Sequence, residues 1–92
     1  MKNFNNERYY IGSRPMWGNG VGMQFKFPNG YIADVVRHAF SYGGSDGLWE
    51  VAVMYENRIV YDTPVTDDVL GWLSDEDVES VLLQIRQLPA RQ

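Results

Sequence analysis

The clearest alternation of hydrophobic and polar residues lies in two runs, Val21–Phe27 and Tyr31–Arg37, which flank the turn-forming tripeptide PNG. A three-residue loop pairs Phe25 with Ala33 and keeps the large apolar side chains on one face. A two-residue turn would instead mix polar and apolar side chains on both faces. The glycine of the tripeptide can supply the left-handed conformation that the longer loop needs. The pattern therefore predicts a β-hairpin over residues 21–37.

A nearly continuous apolar run, Leu48–Tyr55, follows a loop rich in glycine and serine. Such a run is typical of a central strand that is buried on both faces of a sheet. The chain then turns into a second short β-prone segment, so strands are predicted within residues 48–61. A further short strand is predicted at 69–73.

The C-terminal segment has the pattern of an amphipathic helix. Its apolar residues recur at helical spacing: Val78, Val81, Leu82, Ile85 and Leu88. Ser74 is a typical N-cap, and Asp77 stands three residues later, at the position that completes a capping box. Pro89 interrupts the pattern, so the helix is predicted over residues 75–88.

Residues 1–20 are rich in asparagine, glycine and aromatics and contain one short β-prone run, Arg8–Ile11. They are predicted to form a loop-rich N-terminal segment of a single domain that spans residues 1–92. The predicted fold class is α+β. We expect a small three- to five-stranded, mainly antiparallel sheet with one C-terminal amphipathic helix packed on one face.

The second face of this sheet is left without a helix to cover it. A helix of about 13 residues spans only ~20 Å, so it cannot cover both faces. Apolar residues of the central strand would then be exposed to water, which is unfavourable. We therefore expect the N-terminal segment, a second copy in a homodimer, or a target protein to cover that face.

Composition and charge exclude several classes of chemistry. The chain has no cysteine, which rules out disulfides, thiolate metal sites and cysteine nucleophiles. Its net charge of −4 lacks the basic excess that is typical of proteins that bind a phosphate backbone. No apolar run approaches the ~18 residues of a membrane span, and the N-terminus, MKNFNNERYY, lacks the apolar core of a signal peptide. We therefore expect a cytoplasmic protein that binds neither membranes nor nucleic acid directly.

The segment Asp62–Ser80 holds seven carboxylates and no lysine or arginine. Four of them, Asp75, Glu76, Asp77 and Glu79, stand at the predicted helix start. Unpaired N–H groups and the helix dipole favour anions there, so these four are predicted to be structural. The run as a whole can also imitate the charge of a nucleic acid, which gives an alternative function.

Asp67 and Asp68 are not explained by the helix. Paired carboxylates can do acid–base work or hold a divalent cation, and His38 would add a nitrogen ligand to such a site. Adjacent residues point apart in an extended chain, however, and the threonine before the pair favours a turn-capping role. We retain Asp67 and Asp68 as candidate ligand-binding residues and expect no metal and no cofactor.

Catalytic motifs are weak in this sequence. The glycine-rich segment at residues 18–22 has Met23 where a dinucleotide fingerprint needs its third glycine, and a strand, not a helix, is predicted to follow it. The serines lack a nucleophile-elbow context, and the chain has a single histidine. No catalytic residue is therefore predicted, and we do not expect an enzyme.

The segment Arg14–Gly20, RPMWGNG, is the strongest candidate for a binding site. Arginine, tryptophan and methionine are enriched at protein interfaces, and Arg14, Met16 and Trp17 stand here in a segment rich in glycine and asparagine. Tyr42 adds an aromatic side chain on a second glycine-rich loop. The alternative is that Trp17 folds back over the small core.

The C-terminal half resembles small proteins of tailed phages and prophages. Those proteins often end in an Asp-Asp-Val/Ile-x-Gly-aromatic-Leu-Ser/Thr-x-Glu-x-Val pattern that follows a strand similar to WEVAVMY. The matching residues are Asp67, Asp68, Val69, Gly71, Trp72, Leu73, Ser74, Glu76 and Val78. The resemblance implies an origin in a mobile element and no established chemistry.

Together these observations predict a small non-catalytic binding protein, phage- or prophage-encoded, that acts stoichiometrically on a host or defence-system protein. Two alternatives stay open. One is an acidic nucleic-acid mimic that inhibits a DNA- or RNA-binding protein, and the other is a small ligand-binding, nucleotide-binding or hydrolytic protein that uses the paired aspartates. The predicted binding residues are Arg14, Met16, Trp17, Tyr42, Asp67 and Asp68.

Overall fold

The computed structural model describes residue 4 and residues 6–91. In this part of the chain an antiparallel six-stranded sheet is followed by an α-helix that packs on one of its faces. The predicted α+β fold with a C-terminal helix is confirmed. The elements are β1 (Tyr10–Met16), β2 (Gly20–Lys26), β3 (Tyr31–Arg37), β4 (Trp49–Tyr55), β5 (Arg58–Ile59), β6 (Leu70–Leu73) and α1 (Asp75–Arg86), with short 3-10 turns at Glu7–Tyr9 and Gly44–Asp46.

The strand order makes β4 an interior strand, as its apolar sequence predicts. Strands β1 to β4 are neighbours in chain order. The far edge of β4 is shared by two short strands, because β5 pairs with Met54 and Tyr55 while β6 pairs with Trp49 and Val51. The two ends of β4 therefore have different neighbours, and β6 brings the start of the helix to the beginning of β4.

The β2–β3 hairpin has the predicted register. Phe25 lies opposite Ala33, and Met23 lies opposite Val35. The connection is a three-residue loop in which Gly30 has φ +91°, the left-handed conformation that a residue with a side chain rarely adopts. The large apolar side chains of the hairpin consequently share one face of the sheet.

That face packs against α1 and forms the hydrophobic core. The helix begins with the predicted capping box, because the Asp77 N–H donates to Ser74 Oγ at 3.1 Å and the Ser74 N–H donates to Asp77 Oδ2 at 3.0 Å. It ends at Arg86, earlier than predicted, since Pro89 disfavours a helical conformation in the residue before it. The largest fully buried side chains are Phe4, Met23, Phe25, Val35, Val51, Val53, Val78, Leu82 and Ile85.

The prediction of a loop-rich segment over residues 1–20 is wrong for residues 10–16. These form the edge strand β1, in which Ser13 lies opposite Met23. Pro15 lies within this strand, and a proline is tolerated on an edge strand, where its missing N–H leaves no ladder bond unmade. Gly12 sits at an irregularity in the register, a feature that blunts an exposed edge.

The second face of the sheet is covered by the chain itself. Ile32, Val36 and Ala52 on this face are only 9%, 6% and 5% exposed. Polar side chains lie across it: an Arg14 nitrogen is 3.1 Å from an Asp34 carboxylate oxygen in an ion pair at the strand centre. Of the three covers expected from the sequence, the N-terminal segment supplies Arg14, so this face no longer requires a second subunit.

Candidate functional site

The topology brings three segments to one end of the sheet. The turn 17–19 connects β1 to β2, and the loop 38–48 connects β3 to β4, so both lie where β2 and β4 begin. Strand β6 runs antiparallel to the start of β4, with Leu73 opposite Trp49. The turn, the loop and the end of β6 therefore surround a common region, which we call the loop end.

Four large aromatic side chains at the loop end are exposed to solvent. Trp17 is 69% exposed, Phe40 76%, Tyr42 52% and Trp72 60%. Burial of such side chains is the main favourable term of folding and association, so a cluster of them left in water marks a candidate contact surface. We call these four side chains the aromatic surface.

Trp17 and Phe40 form one half of this surface. Their ring centroids are 5.5 Å apart and nearly perpendicular, and the Trp17 ring also lies edge-on to His38 at 5.9 Å. The turn approaches the loop closely because Gly20 has no side chain: a Cβ there would lie 2.5 Å from the His38 Cβ. Trp17 therefore packs on the loop 38–48 and does not fold back over the core.

Tyr42 and Trp72 form the other half. Their rings are stacked, with centroids 5.4 Å apart and planes inclined by 22°. The Trp72 N–H donates to the Tyr42 carbonyl oxygen at 3.1 Å, and a Cβ at Gly71 would lie 2.3 Å from the Tyr42 Cβ. Trp72 has φ +54°, a strained conformation for a bulky residue. The exposed Trp72 indole is thus carried by a strained backbone conformation.

Hydrogen bonds hold the loop 38–48 in one conformation. The Ser41 hydroxyl accepts from the His38 N–H at 2.9 Å and donates to the His38 carbonyl oxygen at 3.0 Å. The Phe40 N–H donates to His38 Nδ1 at 3.1 Å, and the Tyr42 N–H donates to Glu50 Oε1 at 2.9 Å. The aromatic surface is therefore carried by an organised loop, which reduces the entropy that binding would remove.

Trp49 anchors the base of the loop end. Its ring is buried under the Arg37 guanidinium, whose central carbon lies 4.2 Å from the ring centroid. Its indole N–H donates to Asp75 Oδ1 at 2.8 Å, and Arg37 donates to the Gly47 carbonyl oxygen at 3.3 Å. These contacts connect the loop to the first turn of α1.

The structure separates the residues of the predicted binding segment. Trp17 and Tyr42 belong to the aromatic surface, as part of its two halves. Arg14 and Met16, predicted to lie in a loop, belong to strand β1, and Arg14 is engaged by Asp34 on the second face. Met16 is half-buried and lines, with Pro15 and Trp17, an open cleft of about 390 Å³.

Two members of the aromatic surface, Phe40 and Trp72, were missed by the sequence analysis. Phe40 is an isolated large apolar residue in a loop of small and polar residues, which is a usable signal. Trp72 lies in a short β-prone run, where the sequence does not reveal which side chains point outward. The close approach of Gly71 to Tyr42 depends on the tertiary structure.

Asp67 and Asp68 are exposed and lie just before β6, whose other end is at the loop end. The Asp68 N–H donates to Thr66 Oγ1 at 3.0 Å, so the threonine hydroxyl caps this turn. Among the described residues there is no cluster of three histidine or acidic side chains that could hold a metal ion. His38, the proposed nitrogen ligand, packs against Trp17 at the loop end.

Several carboxylates of the acidic run have partners within the chain. Arg91 makes two hydrogen bonds of 2.9 Å to the Asp62 carboxylate, and these hold the pKa of Asp62 below its ordinary value. Hydrogen bonds from Ser74 lower the pKa of Asp77 in the capping box. Asp75 accepts the indole hydrogen bond described above. Asp62, Asp75 and Asp77 are thus engaged within the chain, so the acidic run does not form one continuous surface of free carboxylates.

Comparison with known proteins finds no matching family model, no matching curated protein and no matching solved structure. None of the helices in the described part of the chain is long and apolar enough to cross a membrane.

Proposed function

We propose that this chain is a small non-catalytic binding protein that contacts a protein partner through its aromatic surface. The observation that carries the proposal is the exposure of four large aromatic side chains on a hydrogen-bonded loop end. Tryptophan and tyrosine dominate the energetics of protein interfaces because they bury a large area with few rotatable bonds. A rigid surface of this kind loses little conformational entropy on binding.

The strained backbone at Trp72 supports the same proposal. A non-glycine residue at φ +54° costs on the order of 1–3 kcal/mol unless the surrounding structure compensates. Here the strained residue carries an indole that is 60% exposed. Strain of this kind is typical of functional sites, because selection for folding alone would favour a glycine at the position.

The expected partner is a host or defence-system protein on which this chain acts stoichiometrically. The resemblance of the C-terminal half to phage and prophage proteins supports an origin in a mobile element. It also makes the host cytoplasm the expected location. A homodimer formed through the aromatic surface is a second way to bury these side chains, and it is one outcome of the experiment below.

The two alternative functions receive less support. A nucleic-acid mimic needs many free carboxylates, whereas Asp62 and Asp77 are both occupied by internal hydrogen bonds. A ligand-binding or hydrolytic site at Asp67 and Asp68 would need further converging polar groups. Among the described residues, the hydroxyl of Thr66 contacts the backbone of this pair and no third metal-ligating side chain joins it.

The experiment that tests the proposal is affinity capture from a bacterial lysate, quantified by mass spectrometry. The test variant combines Phe40→Ala with Trp72→Ala. The control is Tyr61→Ala, which removes another exposed aromatic (54%) that follows β5, the short strand paired with Met54 and Tyr55 at the end of β4. Melting curves and light scattering first establish that all three proteins fold and whether they self-associate.

We expect the wild type and Tyr61→Ala to capture the same partner, and the double variant to lose it. The loss of a hot-spot aromatic commonly weakens binding by about 2 kcal/mol or more, which is about 30-fold in Kd. Equal capture by the double variant and the wild type would contradict the proposal. A concentration-dependent dimer that the double variant abolishes would assign the aromatic surface to self-association instead.

A further inference from the structure

His38 is the only histidine of the chain, and its imidazole contacts both side chains of one half of the aromatic surface. The imidazole lies edge-on to the Trp17 ring, with centroids 5.9 Å apart, and its centroid is 6.5 Å from that of the Phe40 ring. Trp17 and Phe40 contact each other at 5.5 Å. The three rings form one cluster, so a change in the charge of the imidazole affects both exposed side chains.

One hydrogen bond determines the protonation state of this imidazole. The Phe40 backbone N–H donates to His38 Nδ1 at 3.1 Å, and a backbone N–H can only donate. Nδ1 is therefore unprotonated, and the ring is neutral with its single proton on Nε2. A protonated imidazole carries a hydrogen on both nitrogens and cannot accept this bond. The observed position of the Phe40 backbone thus requires a neutral His38.

The rest of the loop is held by hydrogen bonds that do not use the imidazole. The Ser41 hydroxyl bonds to the backbone N–H and the carbonyl oxygen of His38, and the Tyr42 N–H donates to Glu50. Among the described residues, the Phe40 N–H has no acceptor other than His38 Nδ1. Loss of that one bond therefore releases the Phe40 backbone while the residues on either side stay in place.

Solvent reaches the imidazole, which is half-buried and lines an open cleft of about 300 Å³ beside the turn 17–19. The turn has no charged residue; the charged residues on the other elements packed around the imidazole are Arg37, Asp46 and Glu50. The Arg37 guanidinium is stacked on a buried indole, the Tyr42 phenol on an exposed one, and Glu50 accepts from the Tyr42 N–H. No carboxylate of the described residues forms an ion pair with the imidazole, so the pH of the solvent sets its charge.

We infer that His38 is a pH-dependent switch of the aromatic surface. The neutral imidazole holds the Phe40 backbone and keeps the Phe40 ring against Trp17. Uptake of a proton replaces the accepting lone pair of Nδ1 by an N–H group, which faces the Phe40 N–H and releases Phe40. Imidazole side chains commonly change charge between about pH 5 and 8. The effect of the switch on partner binding rests on the proposed function, whereas the movement of Phe40 does not.

Two substitutions reproduce the two states of the switch. His38→Asn keeps an acceptor, because the side-chain oxygen of an asparagine in a turn accepts from the backbone N–H two residues later, and it has no charge to gain. His38→Ala has no side-chain acceptor at any pH. Both variants retain the backbone groups that bond to Ser41. Melting curves at about pH 8 and about pH 5.5 first establish that the wild type and both variants stay folded.

NMR of the full chain follows the Phe40 amide and the contacts of its ring with Trp17 as the imidazole titrates. At high pH the wild type is expected to resemble His38→Asn, and at low pH it is expected to resemble His38→Ala. Solvent exchange of the Phe40 amide, corrected for its intrinsic pH dependence, should rise about fivefold on protonation, because one hydrogen bond is lost. A Phe40 amide that does not respond to the imidazole titration, or an equal response in His38→Asn, would overturn the inference.

Capture of the partner at the two pH values tests the consequence for binding. Acidification is expected to weaken capture by the wild type about fivefold more than capture by His38→Asn, and equal weakening would overturn the regulation of binding. If Phe40 is released at low pH while Phe40→Ala with Trp72→Ala still captures the partner, the switch stands and the proposed function is rejected. If Phe40 stays in place while that double variant loses the partner, the proposed function stands and the switch is rejected.

Discussion

The side-chain amide of Asn29, in the β2–β3 turn, donates a hydrogen bond of 2.9 Å to the carbonyl oxygen of Ile85 at the end of α1. The same nitrogen lies 2.9 Å from the Leu88 carbonyl oxygen and 3.2 Å from that of Arg86. The Asn29 Oδ1 accepts from the Tyr31 N–H at 3.0 Å. One turn residue therefore lies against three carbonyl groups at the helix end, of which the Ile85 oxygen also accepts from the Leu88 N–H at 3.1 Å.

We expect Asn29→Ala to lower the free energy of unfolding by about 1–3 kcal/mol, because partly buried carbonyl groups lose their donor. Asn29→Asp should cost more than Asn29→Ala, since a carboxylate would face those carbonyl oxygens at the negative end of the helix dipole. Chemical denaturation of the three proteins at neutral pH measures both differences. A destabilisation of less than ~0.5 kcal/mol for both variants would contradict the capping role.

Gly30 tests the geometry of the same turn. It has φ +91°, and a Cβ there would lie 2.8 Å from the Tyr55 ring. Gly30→Val is therefore expected to cost more than about 1 kcal/mol through backbone strain, with a further cost from the clash. Gly47→Val is the matched control, because Gly47 also has a positive φ (+76°) but nothing within 4 Å of its Cβ position. Equal melting temperatures for the two variants would show that the contact with Tyr55 is unimportant.

The parts of the fold that the sequence predicts are those that depend on residues close together in the chain. The hairpin and the capped helix rest on local signals, Gly30 and Ser74 with Asp77, and both were predicted with the right register and start. Strand β1 was not, because only the short run Arg8–Ile11 is β-prone and the surrounding glycine and asparagine residues indicate a loop. The contact of Asn29 with the helix spans 56 residues, and no local pattern indicates it.

The candidate site was only half predictable for a related reason. Trp17 and Tyr42 stood out because large aromatic residues are unusual in glycine-rich loops. The exposure of Trp72 depends on its positive φ and on Gly71, which lets Tyr42 approach. Arg14 was predicted to bind a partner because arginine is common at interfaces, but whether Asp34 already engages it depends on the strand register.

The acid sensitivity of the fold should depend on the pair Asp62–Arg91. Hydrogen bonds from Arg91 lower the pKa of Asp62 below its ordinary value of 3.8. A carboxyl group with a depressed pKa in the folded state contributes stability that is present above pH 3.8 and is lost as the pH falls through the folded-state pKa. Arg91→Gln removes the pairing charge, so its free energy of unfolding should fall less steeply than that of the wild type below about pH 4. Parallel pH profiles for both proteins would contradict the assignment.

The strained backbone at Trp72 allows the effect of this residue on stability to be measured separately from its effect on partner binding. At φ +54° an alanine carries a steric cost of about 1–2 kcal/mol that a glycine does not. Trp72→Gly should therefore be more stable than Trp72→Ala by about that amount, while both variants lose the indole and bind the partner equally weakly. Thermal melts and partner affinity measured on the same samples test this. A glycine variant less stable than the alanine variant would mean that the conformation is unstrained.

The comparison of Trp17 with the acidic pair decides between the proposed function and the nucleic-acid mimic. If the aromatic surface binds the partner, Trp17→Ala should weaken binding by about 2 kcal/mol, or about 30-fold in Kd, because Trp17 is 69% exposed in the free chain. Asp67→Asn with Asp68→Asn should change the affinity little, since exposed charges outside the contact contribute little. Arg14→Ala is also expected to bind normally, because its guanidinium is engaged by Asp34. A mimic predicts the opposite order, with strong loss in the aspartate variant and none in Trp17→Ala. Affinity measured by calorimetry on variants with unchanged melting curves distinguishes the two.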